Sequence, residues 1–261
     1  MKVVLFCGGL GTRLREHSET IPKPLVNIGY RPLIWHLMRY YAHYGHTDFI
    51  LALGYRGDMI REYFLNYNEA MTNDFVLSDG GRSIELMSRD FDKWRITFVD
   101  TGLHSNIGQR LLRVRKYVEQ EDVFLANYSD GVSDLPLDRL IADFHARNVV
   151  ASFASVNSGQ TFHVVESGDD GIVTGISALD RTPIWINGGF FTLRRSIFDY
   201  INEGDELVDQ PFARLIPKRL LATFKYDGFW HAMDTFKDKI TLGRMEAQGN
   251  CPWMVWRNSR A

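Results

Sequence analysis

The segment from Gly8 to Leu25, GGLGTRLREHSETIPKPL, constrains this chain more than any other part of it. The apolar run Val3 to Cys7 enters it and reads as a strand buried on both faces. Gly8, Gly9 and Gly11 then clear the backbone of side chains, so that successive N–H groups can close on phosphate oxygens. Thr12, Arg13 and Lys23 follow, and the two cations supply the charge a polyphosphate needs. Pro22 and Pro24 stiffen the chain on either side of Lys23, which counts against an ordinary surface lysine. Two common phosphate loops do not fit. The P-loop ends in Gly-Lys-Ser/Thr, whereas Thr12-Arg13 follows the last glycine here. The dinucleotide fingerprint needs a third glycine where this chain has Leu14.

Strand-like and helix-like stretches alternate over the first part of the chain. Val3–Cys7, Phe49–Leu53, Ile96–Val99, Val123–Tyr128 and Val150–Val156 read as buried strands. Pro32 to His43 and Leu137 to Arg147 carry apolar residues at helical spacing. This alternation predicts an α/β fold, Rossmann-like, with a mostly parallel mixed sheet flanked by helices. Beyond residue 156 the pattern becomes a hairpin around Ser167–Gly171 and a strand at Ile186–Leu193. Helical stretches at Arg195–Ile201 and Gln210–Ile216, a strand at Leu221–Tyr226 and a last helix from Lys237 to Gln248 follow. The reading is one domain, 1–261, with a nucleotide-binding core over 1–156 and an acceptor-binding part over 157–261. Residues 68–95 read as an irregular polar excursion.

GGxGTR followed by Pro-Lys-Pro is the opening motif of the sugar nucleotidyltransferases, and the chain resembles that family along nearly its whole length. It is most similar to the glucose-1-phosphate cytidylyltransferase branch. Supporting segments are Gly54-Tyr55-Arg56-Gly57, Val99-Asp100-Thr101-Gly102, Tyr128-Ser129-Asp130-Gly131-Val132, Ile186-Asn187-Gly188-Gly189-Phe190-Phe191, and Gly228-Phe229-Trp230 with Met233-Asp234-Thr235. The resemblance implies the nucleotide-diphospho-sugar transferase fold with a smaller C-terminal sugar-binding elaboration. It implies transfer of a nucleoside monophosphate, CMP from CTP, to a sugar 1-phosphate, with release of pyrophosphate. In that scheme Gly8, Gly9, Gly11 and Thr12 cradle the nucleotide, Arg13 grips the departing pyrophosphate, and Lys23 lies against the α-phosphate and the incoming phosphate. Arg110 contacts nucleotide phosphates, and Asp130 and Asp234 hold Mg²⁺. Arg13, Lys23 and Asp130 are the expected catalytic residues, and Arg181, Asn187, Gly188 and His163 the expected sugar-binding ones.

The residues themselves support part of this scheme independently. Asp130 follows a buried strand, and carboxylates at such strand ends point into the crevice where open α/β sheets bind ligands. Two carboxylates with phosphate oxygens and water suit Mg²⁺, a hard cation. Read singly, Asp130 is equally a turn aspartate before glycine, and Asp234 an N-cap of the last helix. A binding or regulatory protein without turnover would not need both acids and Lys23. The base is open to thymine or uracil as well as cytosine.

The acceptor half departs from the family pattern. Where the family has Glu-Lys-Pro, this chain has Asp180-Arg181-Thr182-Pro183, so Arg181 would have to supply the missing cation. Where it has Arg-Phe-Gly, this chain has Thr161-Phe162-His163. These changes predict an acceptor other than plain glucose 1-phosphate.

The formal net charge of −2 argues against a nucleic-acid partner. No apolar run is long enough to span a membrane, and the two cysteines, Cys7 and Cys251, suggest no disulfide framework, which fits a reducing cytoplasm. Cys7 reads as a small buried residue and not a reactive thiol. Trp253 and Trp256 suggest a covered surface, either a contact in a homo-oligomer or the chain's own core.

Overall fold

The computed structural model describes residues 1–9, 21–91, 93–157, 163–178 and 184–260. At its centre lies an eight-stranded sheet. Its strands are β1 (Val3–Cys7), β2 (Asp48–Leu53), β3 (Arg95–Asp100), β4 (Val123–Tyr128), β5 (Ala151–Asn157), β6 (Trp185–Asn187), β7 (Phe191–Arg194) and β8 (Leu221–Tyr226). The pairs β1–β2, β1–β4, β2–β3 and β5–β8 are parallel. Strands β6 and β7 run antiparallel to β5, and β7 also runs antiparallel to β4. The mixed, mostly parallel sheet expected from the sequence is therefore the sheet observed.

Alternate residues of the central strands feed opposite faces. Val4, Phe6, Ile50, Ala52, Phe124 and Ala126 pack against α3 (Ile107–Val118) and α5 (Gln210–Leu215). Val3, Leu5, Phe49, Leu51 and Leu125 pack against α1 (Leu33–His43) and α4 (Leu137–Arg147). Burial on both sides explains why β1 reads as a continuous apolar run and not as an alternating one. The remaining helices described are α2 (Gly57–Leu65) and α6 (Phe236–Ala247).

Three features differ from the sequence reading, and a fourth decides between two alternatives it left open. Residues 68–95 hold order: Phe75–Ser78 and Ser83–Leu86 form an antiparallel hairpin. Its tip, Asp79-Gly80-Gly81, has three consecutive positive φ angles of 51°, 63° and 90°, which two glycines make cheap. Helix α2 was hidden because only Gly57 and Ile60 of it are buried, too few to print a helical stripe. The single strand expected at Ile186–Leu193 is broken into β6 and β7 at Gly188–Phe190, where Gly189 and Phe190 take φ of +78° and +52°. The tail folds back on its own chain: Trp253 is 1% exposed and stacks on Phe229.

Candidate active site

The strand ends that face a substrate come from β1 and β4. Gly8 and Gly9 leave β1, and Asp130 leaves β4 by way of Ser129, whose hydroxyl donates to the Phe6 carbonyl at 2.7 Å. This bond ties the two strand ends together. Cys7 is wholly buried beside Ser129, and burial pushes its thiol up to about 12, so it behaves as packing and not as a nucleophile.

Asp234 lies far from Asp130 in sequence and is delivered to it by a short ribbon. Trp230, His231 and Ala232 pair antiparallel with Ser133, Val132 and Gly131. The Met233 amide then donates to the Asp130 carbonyl at 2.7 Å, which sets the next residue beside Asp130. The N-cap of α6 is Thr235, which forms a capping box with Asp238, so the Asp234 carboxylate does not cap the helix.

Lys23 closes the group. It opens a one-turn helix, Lys23–Leu25, held by the Leu25 amide donating to the Pro22 carbonyl at 2.8 Å, with Pro24 buried beneath it. Its ammonium donates to Asp234 at 2.7 Å and to Asp130 at 3.0 Å. The lysine side chain is 14% exposed, the two carboxylates 38% and 37%. Lys23 is thus sheltered while the acids open onto a cavity of about 350 Å³. Gly9, Lys23, Asp130 and Asp234 line this cavity together with Asn106, Tyr128 and Glu206.

Arg110 stands behind the loop. It is 3% exposed, and its guanidinium donates to the carbonyls of Gly8 (2.8 Å), Gly102 (3.0 Å), Leu53 (3.2 Å) and Leu103 (3.4 Å), and to the Thr101 hydroxyl (2.7 Å). A β-carbon on Gly8 or Gly54 would overlap this guanidinium, which is a physical reason for glycine at both positions. Sequence reasoning assigned Arg110 to phosphates; in the structure it braces β1, β2 and the turn before α3, and it also lines the cavity with Gly9 and Lys23.

At the end of β4, the Tyr128 hydroxyl accepts from Nδ2 of Asn187 at 3.3 Å. The amide of Gly188 donates to the Ala154 carbonyl at 2.8 Å, and Trp230 Nε1 donates to the Gly188 carbonyl at 3.0 Å. Glu206 was not singled out in the sequence. Its carboxylate accepts the amides of Ile107 (3.2 Å) and Leu207 (3.0 Å), and burial raises its proton affinity. Burial raises that of the Tyr128 hydroxyl too, with the nearby Glu206 charge adding to it. Gly11, Thr12, Arg13 and Arg181 lie outside the described residues. So does the side chain of His163, whose backbone opens the strand His163–Ser167, paired antiparallel with Val173–Ala178.

Among the described residues no three His, Cys, Asp or Glu side chains gather as a metal cage. The two carboxylates at one point are a hard-oxygen pair only half balanced by one ammonium, and they open onto the cavity. Such a donor set fits Mg²⁺, which keeps water and substrate phosphate oxygens as its other ligands. No helix among the described residues is long and apolar enough to cross a membrane.

The profile of the family described as nucleotidyl transferase matches residues 2–223. The probable glucose-1-phosphate cytidylyltransferase of Bacillus subtilis (strain 168) is 36% identical over 258 residues, covering 98% of this chain and 100% of its own. The glucose-1-phosphate cytidylyltransferase of Salmonella typhimurium is 36% identical over 271 residues, with the same coverage. Among solved structures, a UDP-glucose pyrophosphorylase from Acinetobacter baumannii superposes with a TM-score of 0.69 at 18% identity, covering 98% of this chain and 97% of that one. The fold is that of the nucleotide-diphospho-sugar transferases, and the chain belongs to the nucleotidyl transferase family.

Proposed function

We propose that this protein is a Mg²⁺-dependent sugar-1-phosphate nucleotidyltransferase that transfers CMP from CTP to a sugar 1-phosphate and releases pyrophosphate. The observation that carries the reading is the meeting of Lys23 with Asp130 and Asp234, at 3.0 and 2.7 Å, beside the open end of the glycine loop. Its relatives at 36% identity are named as cytidylyltransferases, which supports the choice of nucleotide.

In this reading a phosphate oxygen of the sugar 1-phosphate attacks the α-phosphorus, and the bond from that phosphorus to the pyrophosphate oxygen breaks. Catalysis of such a step is alignment and charge neutralisation, with no covalent protein intermediate. Lys23 turns from the acids to the α-phosphate and the incoming phosphate, Asp130 and Asp234 hold Mg²⁺, and Arg13 takes the pyrophosphate. Bound Mg²⁺ neutralises charge that builds on the phosphate oxygens. Gly8, Gly9, Gly11 and Thr12 line the phosphates, and Arg110 both holds the loop in shape and contacts the nucleotide phosphates. The acceptor is bound by Asn187 and Gly188, with Arg181 and His163 the further residues that the family resemblance assigns to it. Residues 1–156 bind the nucleotide and 157–261 the acceptor, within one domain.

The test is pyrophosphate release from each nucleoside triphosphate across a panel of sugar 1-phosphates, with and without Mg²⁺. Release is expected with CTP and Mg²⁺ and is expected to vanish in Asp130→Ala. Turnover that survives that substitution removes Asp130 from the mechanism.

A further inference from the structure

A row of side chains crosses neighbouring strands at the substrate edge of the sheet. Tyr128 ends β4 and is hydrogen-bonded to Asn187 of β6. Asn187 lies directly opposite Ser155 of β5, and Ser155 directly opposite Lys225 of β8. Directly opposed residues share a face, so Asn187, Ser155 and Lys225 project the same way. Phe153, two residues before Ser155, packs in the cluster that includes Phe6 and Tyr128, both of which line the cavity. Strand β5 runs parallel to β8, and both run in the direction of β4, so the ends that carry Ser155 and Lys225 lie at the same edge as Asp130. At about 4.8 Å per strand, Lys225 stands about 10 Å beyond Asn187 on the side away from the phosphate groups.

Lys225 is poised for a charged ligand. Its side chain is exposed, and its ammonium lies 5.2 Å from the centre of the Trp185 ring, which keeps it along the sheet. Among the described residues it forms no ion pair. The other polar groups of the row are committed: the Ser155 and Thr223 hydroxyls bond each other, and Thr223 also donates to the Phe153 carbonyl at 3.1 Å. A neutral sugar would be served by amides and hydroxyls, and an uncompensated ammonium at the far end of its site offers it little. An anionic group there would gain a charge-assisted bond.

The geometry points to Lys225 as a specificity-determining residue that receives an anionic substituent on the side of the acceptor sugar remote from its reacting phosphate. The substrate class is therefore an anionic sugar 1-phosphate, bearing either a carboxylate or a second phosphate. This rests on the reading of the site as a sugar-1-phosphate nucleotidyltransferase.

The experiment measures kcat and KM, with CTP and Mg²⁺, for glucose 1-phosphate, glucuronic acid 1-phosphate and glucose 1,6-bisphosphate. The enzymes are the wild type, Lys225→Gln and Lys225→Glu. Wild type is expected to favour one anionic acceptor over glucose 1-phosphate by tenfold or more in kcat/KM; which one it favours identifies the anion. Lys225→Gln is expected to lower that preference about tenfold, mainly through KM, and Lys225→Glu to reverse it. A wild type that favours glucose 1-phosphate overturns the inference, as does a Lys225→Gln variant that lowers all three equally or none. If the wild type releases no pyrophosphate with any of the three, the underlying reading fails and the inference with it.

Discussion

The glycine-loop end of the cavity and the strand ends beyond Tyr128 are built on different principles. At the nucleotide end, positions are set by backbone. One buried guanidinium, that of Arg110, holds four carbonyls and a hydroxyl drawn from β1, β2 and the turn before α3. Beyond Tyr128, side chains of neighbouring strands stand in a row: Asn187, Ser155 and Lys225 lie opposite one another across β6, β5 and β8. A fold that must always align the same triphosphate, yet serve different sugars, gains from this division.

The sharpest way to break the comparison is at Lys23. Lys23→Met is expected to lower kcat by about 10²–10³-fold, the scale for loss of a preorganised charge in a site, with a smaller change in nucleotide KM. Steady-state kinetics at saturating Mg²⁺ measures both. A loss confined to KM would reduce Lys23 to a binding residue. A second test compares Arg110→Met with Lys225→Gln by urea unfolding. The first strands several buried carbonyls and is expected to cost about 3 kcal/mol; the second replaces an exposed side chain and is expected to stay within about 0.5 kcal/mol. Equal costs would erase the distinction between the two ends.

Legibility in the sequence followed the same division. The strands of the nucleotide half announced themselves because burial on both faces writes continuous apolar runs. The glycine loop and Asp130 stood out because they follow such runs, whereas Lys23 and Asp234 stood out through the motifs that resemble the family. That Lys23 bridges both acids was not legible, since it depends on a long-range ribbon, 131–133 with 230–232, whose short strands carry no pattern of their own. The break at Gly188–Phe190 was hidden for a related reason: the Phe190 amide is held by the side chain of Asn127, a partner remote in sequence. The hairpin at 75–86 was missed because both its strands are largely exposed, and an exposed strand need not alternate.

The placement of Asp234 also depends on the cluster that seats the tail, and here pH is the probe. His36 is 1% exposed, with Nε2 at 3.1 Å from the Ile28 carbonyl and Nδ1 accepting from Trp253 at 3.4 Å. This arrangement requires a neutral ring, with the proton on Nε2. Burial, aided by Arg31 and Arg257, lowers its pKa from 6.5 to about 4. Between those values the unfolded chain binds the extra proton, so stability rises with pH across the window. The contribution is complete above 6.5 and fades as pH falls toward 4, with about 2 kcal/mol lost by pH 5. Urea unfolding from pH 5 to 7 is expected to show this slope, and His36→Gln to flatten it. An unchanged slope would assign the acid sensitivity elsewhere.

The smallest effect is expected at the hairpin, and its smallness is informative. Val76 and Ile84 are 48% and 55% exposed, and the hairpin strands pair with each other and not with the central sheet. If this arm serves neither end of the cavity within a single chain, Val76→Ser and Ile84→Ser should each change unfolding stability by no more than about 0.5 kcal/mol. They should also leave kcat/KM for the preferred acceptor and for CTP in the same ratio. A larger loss of stability that grows as the protein is diluted would mean that another copy covers the arm. The comparison would then need a third region, one in which neither backbone nor strand ends, but assembly, fixes the geometry.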